Sequence, residues 1–125
     1  MTTEPGLRQI GQIAVNAKDV ARATAFYRDV LGLKLLFQAG PSLSFFDCGG
    51  IRLMITVPEA EFDHPSTILY YKVDDIRASY ESLKARGAEF RDEPHLLAKM
   101  PDHELWMTFL EDSEGNTLGL MSEVR

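Results

Sequence analysis

This chain reads as one structural unit written twice. Residues 10–37, IGQIAVNAKDVARATAFYRDVLGLKLLF, and residues 67–90, TILYYKVDDIRASYESLKARGAEF, carry the same signals in the same order. In the first, Ile10 to Val15 alternate as a strand does, and Asp19 stands where a helix N-cap belongs. Val20, Ala23, Phe26, Tyr27, Val30 and Leu31 then recur at helical spacing, Gly32 stops the helix, and Leu33 to Phe37 restart as a strand. In the second, a strand leads to Asp75, a helix with Ile76, Tyr80 and Leu83 on its buried face, a stop at Gly87 and another strand. Each half closes with two more strands. SLSFFDCGGIRLMITV is a hairpin turning at Gly49-Gly50, and HELWMTFLEDSEGNTLGLM is its counterpart. Between the halves, PEAEFDHPS holds Pro58 and Pro65 and reads as an irregular linker.

A four-stranded sheet with one helix covers only one of its two faces. The uncovered face needs a partner, and the other copy is the obvious one. The expected fold is therefore α+β: two βαβββ modules whose curved sheets form one cleft, lined by every second residue. The expected organisation is a single domain over residues 1–125, with module one at about 8–57, the linker at about 58–66 and module two at about 67–124. One residue resists this pattern. Gly119 lies inside the last strand, where a missing side chain weakens packing.

Composition narrows the function. The chain has 13 Lys plus Arg against 19 Asp plus Glu, a net charge of −6, so no nucleic-acid partner is expected. No apolar run approaches the roughly 20 residues of a membrane helix, and the N-terminus lacks a signal-peptide pattern. No membrane partner is therefore expected. Cys48 is the one cysteine, which excludes an internal disulfide and suits a reducing cytoplasm.

The stretches QIAVNAKDVARATAFYRDVLGLKLLF, CGGIRLMI, ILYYKVDDIRASYESLKARGAEF and FLEDSEGNTLGLM together resemble the vicinal oxygen chelate superfamily. That group includes glyoxalase I, extradiol dioxygenases, fosfomycin-resistance enzymes and bleomycin-binding resistance proteins. The resemblance covers nearly the whole chain, and AFYRDVLGLKLL and EDSEGNTLGLM carry it most specifically. It implies a homodimer and, in the metal-dependent members, one divalent cation held by His or Gln, Glu, His and Glu. Those four positions fall here on Gln12, Met54, Ile68 and Gly119, where Glu is usual at the last. A thioether, a branched alkyl group and bare backbone do not ligate a hard cation. No metal and no cofactor are therefore expected, and the cleft should be apolar and roomier at Gly119.

The remaining candidates are weaker. Phe46 and Trp106 are read as cleft aromatics that stack on a planar ligand. With them, Gln12, Asn16, Met54, Ile68, Gly119 and Met121 are expected to line the pocket, Gln12 and Asn16 orienting the ligand by hydrogen bonds. His95 and His103 read as rim residues on a long hairpin, with acid–base work at the cleft mouth as the alternative. His64 reads as surface, Cys48 as a packed thiol, and Glu111, Asp112 and Glu114 as solubilising turn residues. The function expected is binding of a small, apolar or aromatic molecule in a metal-free cleft. The alternative is a glyoxalase-like lyase, isomerase or dioxygenase with a non-standard metal site or histidine chemistry.

Overall fold

A computed structural model describes residues 5, 8–58, 60, 65 and 67–125. Most of the expected linker, His64 included, lies outside the described residues. The first half is β1 (Gln12–Asn16), α1 (Val20–Ala25), a π-helical continuation (Phe26–Val30), β2 (Lys34–Gln38), β3 (Leu43–Cys48) and β4 (Ile51–Thr56). The second is β5 (Leu69–Lys72), α2 (Ile76–Ala85), β6 (Glu89–Phe90), β7 (His95–Lys99), β8 (Glu104–Glu111) and β9 (Thr117–Val124). The fold is α+β, with two βαβββ modules. The first sheet runs β1-β4-β3-β2 and the second β5-β9-β8-β6, with β7 also on β8. In each module the first strand lies parallel to the last.

Both helices start where a carboxylate caps them. Asp19 accepts from the Arg22 N–H at 3.0 Å and Asp75 from the Ala78 N–H at 3.1 Å, each satisfying a donor at the first turn. The turn between β3 and β4 is two glycines at φ +59° and +87°, a conformation that other residues adopt only with strain. It pairs Cys48 with Ile51, Phe46 with Leu53 and Phe45 with Met54.

One expected strand is two. Both β6 and β7 pair along the same side of β8, separated by residues 91–94. The break has a cause. Pro94 supplies no N–H, and the Asp92 carboxylate replaces ladder bonds by accepting from the Phe109 N–H at 3.1 Å and the Thr108 hydroxyl at 2.9 Å.

Each sheet buries one face against its helix. Ile13, Val15, Phe46, Leu53 and Ile55 pack with Val20, Ala23 and Tyr27 in the first module. Leu110, Leu118 and Leu120 pack with Ile76 and Ala88 in the second, with Trp106 at the margin. Leu31 and Leu69 touch both clusters and join the modules.

A polar clamp closes the same joint. Asp112 is 7% exposed and takes the Tyr27 hydroxyl at 2.8 Å, the Asn116 amide at 2.8 Å and the N–H groups of Glu114 and Asn116, each at 2.8 Å. Glu114 accepts from the backbone N–H of Lys18 (2.8 Å) and Asp19 (2.9 Å) and pairs with Arg22 at 2.7 Å. The reading of Asp112 and Glu114 as solubilising is thus corrected: both are buried, Asp112 holding the β8–β9 turn to Tyr27 and Glu114 holding it to the start of α1. Arg22, then burial opposing it, then the two N–H groups and Ser113 set the Glu114 carboxyl, which falls to about 2. Burial, with Asp112 beside it, pushes the Tyr27 phenol far above its ordinary range, so it remains a donor.

Candidate functional site

The faces turned away from the helices carry the candidate positions. On the first sheet that face is set by the pairs Gln12 with Arg52 and Ala14 with Met54, and by Met54 with Phe45. The Gln12 carbonyl oxygen accepts from Arg52 Nε at 2.8 Å, and its amide nitrogen points at the Met54 sulfur, 3.6 Å away. The Arg52 guanidinium also lies 5.2 Å above the Phe45 ring, which stacks on Phe37 at 4.6 Å. The result is a small, preformed patch of amide, thioether and two aromatic rings.

On the second sheet the same face runs in rows. Tyr70 pairs with Gly119 and Gly119 with Phe109; Lys72 pairs with Met121, Met121 with Met107 and Met107 with His95. Ile68 lies just before β5 and is 42% exposed. Gly119 is buried beneath the rings of Tyr70 and Phe109, which meet edge to face at 5.9 Å. A Cβ at position 119 would fall 2.6 Å from Tyr70 Cδ2, 3.0 Å from Cε2 and 3.3 Å from Phe109 Cε1. The glycine is there because an aromatic ring from the neighbouring strand fills the space above it. The expectation of a roomier cleft at Gly119 is corrected accordingly.

The modules exchange bulk at this point. In the first, small Ala14 stands beside large Met54; in the second, large Tyr70 stands beside Gly119.

Two expected lining residues are on the wrong face. Phe46 is fully buried under α1, its ring 6.0 Å from that of Tyr27, so it is core. Trp106 pairs with Ser122 on the helix side of its sheet and donates from Nε1 to Glu104 at 3.1 Å. Phe45, Tyr70 and Phe109 hold the positions on the outer face that those two were expected to hold. Gln12, Asn16, Met54, Gly119 and Met121 do share the outer faces, with Ile68 in phase with them by strand alternation.

The histidines are not brought together. His95 begins β7, with Nδ1 3.1 Å from the Asp92 carboxylate. His103 lies beyond the other end of that strand, with Nδ1 2.7 Å from Asp102. Among the described residues no group of three His, Cys, Asp or Glu is placed to hold a metal ion. The four positions that the resemblance assigns to a cation do not fit one. The single oxygen donor, on Gln12, already faces a guanidinium, and the fourth position lies under a phenol ring. Cys48 is partly buried, and burial, with Asp47 nearby, raises its thiol above the usual value, which does not suit a nucleophile. Among the described residues no helix is long and apolar enough to cross a membrane.

Comparison with known proteins agrees with this architecture. Residues 9–120 match the family model described as the Glyoxalase/Bleomycin resistance protein/Dioxygenase superfamily. The uncharacterized protein YetH of Bacillus subtilis (strain 168) is 26% identical over 120 residues, spanning 88% of this chain and 94% of that protein. Among solved structures, TnmS3, an antibiotic binding protein from Streptomyces sp. CB03234, superposes with a TM-score of 0.77 at 22% identity, covering 96% of this chain and 99% of that one. Lactoylglutathione lyase from Agrobacterium tumefaciens does so with a TM-score of 0.71 at 22% identity, covering 95% and 96%. At such identities these two likenesses concern the fold.

Proposed function

The chain belongs to the Glyoxalase/Bleomycin resistance protein/Dioxygenase superfamily, and from that premise we propose that it is a metal-independent binding protein for a small apolar or aromatic molecule. The ligand lies on the helix-free faces, against Phe45, Met54, Tyr70, Phe109 and Met121, with Gln12 and Asn16 at its polar edge. One observation carries the reading. The positions that would hold a cation are instead filled by an amide bonded to Arg52, a thioether, an alkyl chain and a glycine roofed by Tyr70. Beside Arg52, Lys72 and His95, these faces carry Phe45, Met54, Tyr70, Phe109 and Met121, polarisable, flat or apolar groups of the kind that stack on an organic ring. The antibiotic-binding TnmS3 shares the fold and gives this reading a precedent.

The protein works as a homodimer in this reading. The helix-free faces leave Phe37, Ile68 and Tyr70 between 42% and 48% exposed, and a second protomer gives them a partner. A reducing, cytoplasmic setting goes with a lone cysteine.

A second reading rests on His95, whose imidazole contacts Asp92 and shares the row of Met107 and Met121. There it could move a proton for a bound substrate, as in a glyoxalase-like lyase, isomerase or dioxygenase. Native mass spectrometry of untagged protein, purified without chelator, separates the two. A dimer that carries an organic adduct and no ion agrees with the binding protein. One divalent ion per protomer, lost on replacing His95 or His103, refutes it and makes the enzyme the leading reading.

A further inference from the structure

A cavity lies on the helix side of the second sheet, away from the faces just described. It measures about 410 Å³ and is walled by Leu31 and Leu33 from the end of the first helix, Leu83 from α2, and Tyr71, Val73 and Leu120 from the sheet. That volume is within the range of small-molecule sites. Leu31, which follows directly on the π-helical turn at Phe26–Val30, forms part of one wall. Ser79, Ser82 and Leu83 of α2 and Arg86 just past its end reach the cavity together on one side of the helix.

Arg86 distinguishes this cavity from a packing defect. Arg22, Arg28, Lys72, Arg91 and Arg125 each face a carboxylate. Among the described residues none pairs with Arg86. Its guanidinium does not fold back on its own helix end but leans across to the other module, where a Cβ on Gly32 would sit 3.3 Å from Nη1. Lys72 also borders the cavity, but its ammonium is directed to Glu123 at 3.7 Å.

We propose that this cavity binds a small amphipathic carboxylate, its head forked by Arg86 at the mouth and its tail on Leu31, Leu33, Leu83 and Leu120. A planar guanidinium matches a carboxylate with two parallel bonds, and the serine hydroxyls of α2 supply further donors beside it. The wall behind is apolar, so the ligand needs both parts. This site is separate from the one assigned above and does not depend on it.

The test is a backbone-amide NMR titration of the full chain with octanoate and, in parallel, with octan-1-ol. Saturable shifts at Leu31, Gly32, Ser82, Leu83 and Arg86, with octanoate bound more tightly, are the expected result. Arg86→Gln weakens octanoate by about tenfold or more, some 1.4 kcal/mol, and leaves octan-1-ol unchanged; Arg86→Lys keeps part of the difference. Ser82→Phe fills the space and removes both. Equal binding of the two probes, the absence of a saturable shift, or shifts centred on Met54, Tyr70 and Gly119 overturns the proposal. The last outcome would leave the outer-face site intact, so the two assignments fail separately.

Discussion

Gly119→Ala, made alone and together with Tyr70→Ala, tests the account of the glycine directly. The added Cβ meets Tyr70 carbons at 2.6 and 3.0 Å, where apolar carbons settle at about 3.5–4.0 Å. The ring must therefore move by about 1 Å or leave its rotamer. Overpacking of this kind costs about 1–3 kcal/mol. Gly119 is not at positive φ, so alanine also recovers about 0.4–1 kcal/mol by restricting the unfolded chain. The net expected loss is about 1–2 kcal/mol, toward the low end because Tyr70 is 47% exposed and has somewhere to go. In the Tyr70→Ala background the clash is gone, and only the 3.3 Å approach to Phe109 remains. There the same alanine should be neutral or stabilising by up to about 1 kcal/mol. Urea unfolding at fixed protomer concentration reads both backgrounds, with the m-value checked for constancy. The coupling expected is about 1–3 kcal/mol, above the roughly 0.5 kcal/mol scatter of independent sites. An equal cost of Gly119→Ala in both backgrounds would show that Tyr70 is not why position 119 lacks a side chain.

Other perturbations follow from the joint and the core. Glu114 is held at about 2 in the fold against an ordinary 4.5, so its contribution is complete above pH 4.5 and disappears as pH falls toward 2. The difference corresponds to about 3 kcal/mol at most, and Glu114→Gln should flatten the dependence of the urea midpoint on pH within that window. Tyr27→Phe removes one donor from the buried Asp112 carboxylate and should cost about 1–3 kcal/mol, read as a lower denaturation midpoint. Phe46→Ala should cost about 3–5 kcal/mol. Phe45→Ala, on the other face, should affect ligand retention in native mass spectrometry more than stability. An effect of Phe46→Ala on retention without loss of stability would reverse the face assignment.

Asp19, Asp75 and the glycine stops made the two modules legible, because caps and stops are local chemistry written in single residues. The faces of the strands were harder. Phe45 and Phe46 are adjacent aromatics, and alternation alone does not say which of them meets the helix. The Gly49-Gly50 turn did hold that information: counting outward from a two-residue turn pairs Phe45 with Met54, and Phe46 with Leu53. Trp106 had no such marker, since residues 112–116 make a longer turn that fixes register less firmly. The roof over Gly119 was out of reach, because it depends on the parallel pairing of β5 with β9, set by contacts half a chain apart. Asp112 and Glu114 look like surface residues by type, and only the approach of α1 makes them interior.

The clamp at the β8–β9 turn also bears on how the chain folds. Its bonds join residues separated by 85 to 100 positions: Tyr27 to Asp112, Arg22 and Lys18 to Glu114, Asn16 to Asn116. Closing so long a loop brings little reward until both hairpins stand, so these contacts form after the modules rather than nucleating them. Interactions absent from the folding transition state govern how fast the native state opens. Loss of either carboxylate, Asp112 or Glu114, is therefore expected to speed unfolding more than it slows folding.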